Sequence, residues 1–227
     1  MGATTILIVD DEPDVADLLK YHLQKAGYQT LTAGNGSKAL EIARRSRPEA
    51  IVLDLMLPGM SGLEVCRELR KHPDTAALGV LMLTAKGQPS ERINGLEIGA
   101  DDYVTKPFSP KEVVLRVQAL VRRSQAAREG GGVVESGDVR IEKGSFEITL
   151  AGTRLELTTT EFKLLCLLVE RRGRVQSRDV LLKEVWGYEN SIDTRTVDTH
   201  IRRLREKLGG SADRIETLRG EGYRFAA

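Results

Sequence analysis

Five short apolar runs alternate with helix-length periodic segments through the first half of the chain, and that alternation limits the fold more than any other feature. The runs are ILIV at 6–9, TLTA at 30–33, IVLD at 51–54, VLMLT at 80–84 and YVTK at 103–106. Strands joined by helices predict a doubly wound parallel α/β sheet, covered on both faces and therefore apolar along each strand. Asp10 and Asp11 close the first run, Asp54 the third, Thr84 the fourth and Lys106 the fifth. Ligands bind at the C-terminal ends of such strands, at the point where strand order reverses. With the order 2-1-3-4-5, strands one and three are neighbours and their three carboxylates converge.

A lone Asp at a strand end usually caps a helix or turns the chain, and a lone lysine is usually a solvated surface group. Five such residues at strand ends point instead to a site. Converging carboxylates need protons or a cation to relieve their repulsion. A hard divalent ion such as Mg²⁺ suits them, since it takes one or two carboxylates, a backbone carbonyl and waters. An ammonium and a hydroxyl beside a carboxylate nucleophile suit a phosphoryl group.

A different pattern follows the glycine-rich stretch SQAAREGGGVVESG at 124–137, which predicts a flexible linker between a domain at 1–123 and another at 138–227. VRIEKG, SFEITLAG and TRLELT read as an antiparallel meander. Thr158 to Glu161 forms a capping box that opens a helix, and Ser177 caps a second. A third runs from about Asp193 to Gly209, and IETLRGEGYRF closes the chain as a hairpin. Helices followed by a hairpin predict a winged helix-turn-helix.

Lys plus Arg number 34 and Asp plus Glu 33, so overall charge selects no partner. Residues 195–207 are locally basic, with Arg195, Arg202, Arg203, Arg205 and Lys207 against Asp198 and Glu206. In the same segment Val197, Ile201, Leu204 and Leu208 form one apolar helical stripe, and Arg195, Thr199, Arg202, Arg203 and Glu206 fall opposite. Guanidinium groups pair with phosphates and read guanine in a major groove. Two cysteines, three histidines and no long apolar run argue against a disulfide scaffold, a Cys/His metal centre and a membrane span. MGATTILIVDDE has no basic region ahead of an apolar stretch, so a cytoplasmic protein is expected.

ILIVDDEPD, IVLDLMLPGMSGLE, VLMLTA and GADDYVTKPFSPKE resemble the receiver domain of two-component response regulators over about residues 4–123. The resemblance implies phosphorylation of Asp54 by a sensor histidine kinase. It implies Mg²⁺ on Asp10, Asp11, Asp54 and the Met56 carbonyl, with Lys106 and Thr84 on the phosphoryl oxygens and a cis Pro107. Tyr103 would turn inward on activation. Arg92, Asp101, Asp102, Glu112, Arg116 and Arg123 would form a charged homodimer interface on the face of the last two receiver helices.

ELTTTEFKLLCLLVERRGRVQSRDVLLKEVWGY, DTRTVDTHIRRLREKLG and IETLRGEGYRF resemble the winged-helix output domain of the OmpR/PhoB family. That resemblance implies contacts to double-stranded promoter DNA from Arg195, Thr196, His200, Arg202, Arg203 and Arg205 on the recognition helix, and from Thr217 and Arg219 on the wing. Loop 187–193 would touch RNA polymerase. The expected function is a phosphorylation-dependent transcriptional regulator that dimerises and binds tandem half-sites ~10–11 bp apart. It transfers phosphoryl groups only onto and off itself and is no conventional enzyme. An aspartyl-phosphate hydrolase would carry a second Asp two residues after the first, where Met56 stands. The remaining alternative is a receiver-gated module that binds proteins rather than a DNA sequence.

Overall fold

The computed structural model describes residues 4–85, 98–129, 132–145, 147–187 and 195–226, with the backbone alone at 85, 123–129 and 195. The chain divides into two compact units, Met1–Val121 and Arg122–Ala227.

In the first unit, β1 (Thr5–Val9), β2 (Gln29–Ala33), β3 (Ala50–Asp54), β4 (Gly79–Ala85) and β5 (Asp102–Lys106) form one parallel sheet in the order β2-β1-β3-β4-β5. Alternate residues of each strand feed opposite cores. Leu7, Val9, Ile51 and Leu53 pack on one face with Val65 and Leu69, whereas Ile6, Ile8, Val52 and Leu81 pack on the other with Leu19, Leu23 and Val117. This is why the runs read as continuously apolar. The helices on these faces are α1 (Pro13–Lys25), α2 (Gly36–Ser46), α3 (Gly62–Lys71) and α4 (Pro110–Glu129). Pro13 starts α1, the Asn35 side chain caps α2, and a Ser61–Glu64 capping box opens α3.

The second unit begins with an antiparallel sheet of β6 (Val133–Ser136), β7 (Val139–Glu142), β8 (Glu147–Leu150) and β9 (Thr153–Arg154). Three helices follow: α5 (Thr159–Glu170), α6 (Arg178–Leu181), which a π-helical turn prolongs over Leu182–Trp186, and α7 (Arg195–Leu208). The Thr158–Glu161 box and the Ser177 cap start the first two as the sequence predicts. The closing hairpin, β10 (Ile215–Leu218) and β11 (Gly222–Phe225), gains a bridge from Gln176 to Tyr223. Gly222 is required there. Its φ is +145°, and a Cβ would lie 2.1 Å from the Gln176 carbonyl oxygen. Trp186, Phe225, Leu164, Leu204 and Ile201 meet in one core beneath the helices.

The linker expected over 124–137 is corrected. SQAARE is made mostly of good helix formers and prolongs α4 to Glu129, while VVES pairs with VRIE as β6 against β7. Only the glycines at 130–132 separate the two elements.

Candidate functional site

Parallel pairing of β1 with β3 brings Val9 opposite Leu53, so Asp10 and Asp54 emerge side by side where the sheet's connections diverge. Carboxylate oxygens of Asp10, Asp11 and Asp54 lie within 4.8 Å of one another. Asp10 and Asp54 are buried and Asp11 is exposed, which leaves one side open to a ligand. Lys106, at the end of β5, donates from Nζ to Asp54 Oδ2 at 2.9 Å and to Asp10 Oδ2 at 3.1 Å, and its bond to Pro107 is cis. Thr84 is buried at the end of β4, with its hydroxyl 3.5 Å from the Val104 carbonyl. Met56 protrudes into solvent just beyond Asp54. The loop after Asp54 folds back tightly: the Gly62 N–H donates to the Leu55 carbonyl at 3.0 Å. A Cβ on Gly62 would sit 2.2 Å from the Asp54 carbonyl oxygen.

Burial pushes the Asp10 carboxyl above its ordinary range, and the Asp54 charge adds to the rise, against the opposing pull of the Glu12 N–H and Lys106. Burial alone would lower Lys106. Its hydrogen bonds and charge pairing with Asp54 and Asp10 outweigh that and hold the ammonium above its usual value. The cleft therefore presents a fixed cation against crowded carboxylates, and an all-oxygen donor set of this kind fits Mg²⁺.

In the second unit α7 presents a narrow ridge. Thr199 is half-buried and Arg202 and Glu206 are exposed, the last two paired at 3.0 Å. On one flank Asp198 accepts from Arg178 Nε at 2.7 Å and from the Tyr223 hydroxyl at 2.6 Å. Burial and the bond to Asp198 push that phenol up to about 12. Arg205 donates from Nε to the Ile215 carbonyl at 3.1 Å and from a terminal nitrogen to Thr217 Oγ1 at 2.8 Å, tying helix to hairpin. On the other flank Arg203 meets the buried Glu161 at 2.6 Å. Thr217 and Arg219 stand exposed near the hairpin turn.

The chain matches the response regulator receiver domain over residues 6–118 and the C-terminal domain of transcriptional regulatory proteins over 152–225. It is 44% identical to the alkaline phosphatase synthesis transcriptional regulatory protein PhoP of Bacillus subtilis, covering 97% of this chain and 95% of the relative. To the phosphate regulon transcriptional regulatory protein PhoB of Pseudomonas aeruginosa it is 41% identical over 100% of this chain and 99% of PhoB. Among solved structures, a cysteine-to-serine mutant of RitR superposes with a TM-score of 0.81 at 28% identity, over 98% of this chain and 99% of that one. The chain belongs to the OmpR/PhoB family of two-component response regulators. As such it is a DNA-binding transcriptional regulator that works with a sensor kinase.

Several residues that the family resemblance places at partner surfaces stand elsewhere in this regulator. Asp102 is buried and takes both its oxygens to Arg116 at 3.0 Å, while Arg116 also holds Glu112 at 2.7 Å. Asp101, fully buried, accepts from Arg70 of α3 at 2.9 Å and from the Val80 N–H at 2.9 Å. These charges brace the receiver internally, because β5 begins at Asp102 beside Arg116 of α4 and buried carboxylates must find partners at once. Arg70 also donates to the carbonyls of Gly99, Ala76 and Leu78, a brace that sequence inspection misses since Arg70 has no motif around it. Arg92 and the Arg123 side chain lie outside the described residues, as do the Arg195 side chain and 188–193 of the expected polymerase loop. Tyr103 is already buried.

On α7, Thr196, His200 and Arg203 are buried rather than presented to DNA, and His200 packs 5.2 Å from the Trp186 ring. Four apolar residues suggest a narrow buried stripe. Here α5, the π-helical turn and the hairpin enclose the helix on both flanks of that stripe, and Arg205 is committed to the hairpin. Among the described residues, no helix is long and apolar enough to cross a membrane.

Proposed function

We propose that Asp54 accepts a phosphoryl group from the phosphohistidine of a sensor kinase, and that the winged helix then binds promoter DNA through the outward ridge of α7 and the hairpin tip. The observation that carries this is the convergence of Asp10, Asp11 and Asp54 with Lys106 Nζ only 2.9 Å from the Asp54 carboxylate. An Asp54 oxygen attacks phosphorus, the P–N bond breaks with its electron pair staying on the ring nitrogen, and the leaving imidazole takes up a proton from water. Lys106 leaves Asp54 for a phosphoryl oxygen, where its charge offsets the dianion. Asp10, Asp11, Asp54 and the Met56 carbonyl would hold Mg²⁺, which neutralises charge on the transferred group. Thr84, whose present partner is the Val104 carbonyl, supplies the hydroxyl for a second oxygen and so links phosphorylation to the β4–β5 edge.

Phosphorylated receivers then pair, and two subunits occupy half-sites ~10–11 bp apart on one face of the duplex. Intact-mass measurement after treatment with an acyl phosphate and Mg²⁺ tests the first step, and one phosphoryl group is expected on wild type. For the second step, genomic fragments are enriched with beryllofluoride-treated protein at fixed salt, since phosphate contacts make affinity steeply salt-dependent. Enrichment of tandem repeats is expected. Capture of no sequence would favour the protein-binding alternative. Sedimentation of the same treated protein as a monomer at every concentration would remove the dimerisation step.

A further inference from the structure

A buried carboxylate sorts the charges of α7. Glu161 sits in the first turn of α5, is fully buried, and accepts from the Thr158 N–H at 2.9 Å. It also faces two cations from successive turns of α7, Arg203 at 2.6 Å and Lys207 at 2.7 Å, and Lys207 donates further to the Glu156 carbonyl at 2.8 Å. Burial alone would raise the Glu161 carboxyl, but Arg203 and Lys207 prevail and hold it down to about 2. It is a permanent anion at any physiological pH.

Adjacent residues on a helix point about 100° apart. Arg202 and Arg203 are chemically alike, and only the roll of α7 about its axis decides which of them meets a ligand. The stripe Val197, Ile201, Leu204 and Leu208 packs non-directionally and tolerates small rolls. The ion cluster does not, because two cations spaced one turn apart must both reach one carboxylate whose own helix is fixed by its capping box. Buried ionic groups are best attested in this role, as devices that fix register rather than as sources of stability.

We infer that Glu161 is a positioning residue for DNA recognition: by holding Arg203 inward and tying down the exposed Lys207 one turn later, it sets the roll of α7 that presents Thr199 and Arg202 to the duplex. The inference rests on α7 being the DNA-reading helix. It makes Arg203 an internal strut that touches neither base nor phosphate, and reading tolerances of about 0.5 Å make the roll consequential.

The test uses full-length, beryllofluoride-treated protein, a promoter fragment taken from the genomic enrichment, and poly(dI-dC) duplex as the non-specific reference, across a series of salt concentrations. Arg203→Met keeps most of the side-chain volume and removes the charge. It should lower the preference for the fragment over poly(dI-dC) at least tenfold while leaving the slope of log affinity against log salt unchanged. Glu161→Gln should reproduce this loss, and the double variant should be no worse than either single one, since both break one unit. A slope reduced by about one for Arg203→Met would make Arg203 a phosphate contact, and a loss confined to a single base pair would make it a base reader. Either result overturns the inference, as does a folded Glu161→Gln protein that discriminates like wild type. Should Glu161→Gln fail to fold, Arg203→Met and Lys207→Met decide by the same readouts. Wild type showing no preference for any fragment would overturn the assignment of α7 itself, an outcome separate from variants that discriminate as well as wild type.

Discussion

The acidic cleft of the receiver and the basic helix of the output domain are built from equally conspicuous sequence motifs, yet the two translate into structure differently. At the cleft every functional residue stands at the end of a hydrogen-bonded strand. Position along the chain then fixes position in space, and Asp10, Asp54 and Lys106 converge without help from any other element. On α7 the charged residues are distributed around a cylinder, and residues of other elements decide which of them face out. Glu161 withdraws Arg203 and pairs with the exposed Lys207, and the hairpin occupies Arg205, so a helix with many cations leaves few of them uncommitted. Strand ends specify a site, whereas helix composition only supplies candidates for one.

The sharpest way to break this contrast is at the cleft. Asp54→Asn should abolish phosphoryl uptake altogether in the intact-mass assay. Labelling at the wild-type rate would mean that convergence at the strand ends has been misjudged. Next in size is Arg116→Ala. If Arg116 is an internal brace, its removal takes two hydrogen bonds from the buried Asp102 and should cost about 3 kcal/mol of receiver stability by urea unfolding followed with far-UV circular dichroism. Loss of dimerisation with unchanged stability would return Arg116 to the dimer interface.

The third test concerns Glu161. Its carboxyl is held down to about 2 from an ordinary 4.5, so the stabilisation it adds is fully present above pH 4.5 and disappears as the pH falls towards 2. A shift of that size corresponds to about 3 kcal/mol. Acid unfolding of the output domain, followed by the single and fully buried Trp186, should therefore be steeper between those limits in wild type than in Glu161→Gln. The smallest expected effect belongs to Arg202→Ala, which should cost about 1–3 kcal/mol at one base-pair position if Arg202 reads a base. Uniform loss across sequences would make it a phosphate contact.

What the sequence discloses follows the same division. The strand order, the five strand-end residues, the Thr158 capping box and the closing hairpin are legible because each depends on local periodicity or on a rule about parallel sheets. β6 is hidden, since four residues beside three glycines look like linker until VVES finds VRIE. The Arg70 brace is hidden too, because its partners Ala76, Leu78, Gly99 and Asp101 come from the residues just ahead of β4 and β5 and share no spacing. Arg203 falls opposite the apolar stripe on a helical wheel, and the family resemblance places Thr196 and His200 at DNA with it. Only the packing of three neighbouring elements around α7 covers them.

Gly62 carries no chemistry, yet a methyl group there would collide with the carbonyl of the phosphoacceptor residue itself. Saturation mutagenesis scored on signalling output would accordingly show position 62 as intolerant as position 54, without a single gradation from small to large side chains. Such a map would draw the boundary of the acceptor site around a hydrogen atom, and the slack available to evolution beneath Asp54 is no wider than that.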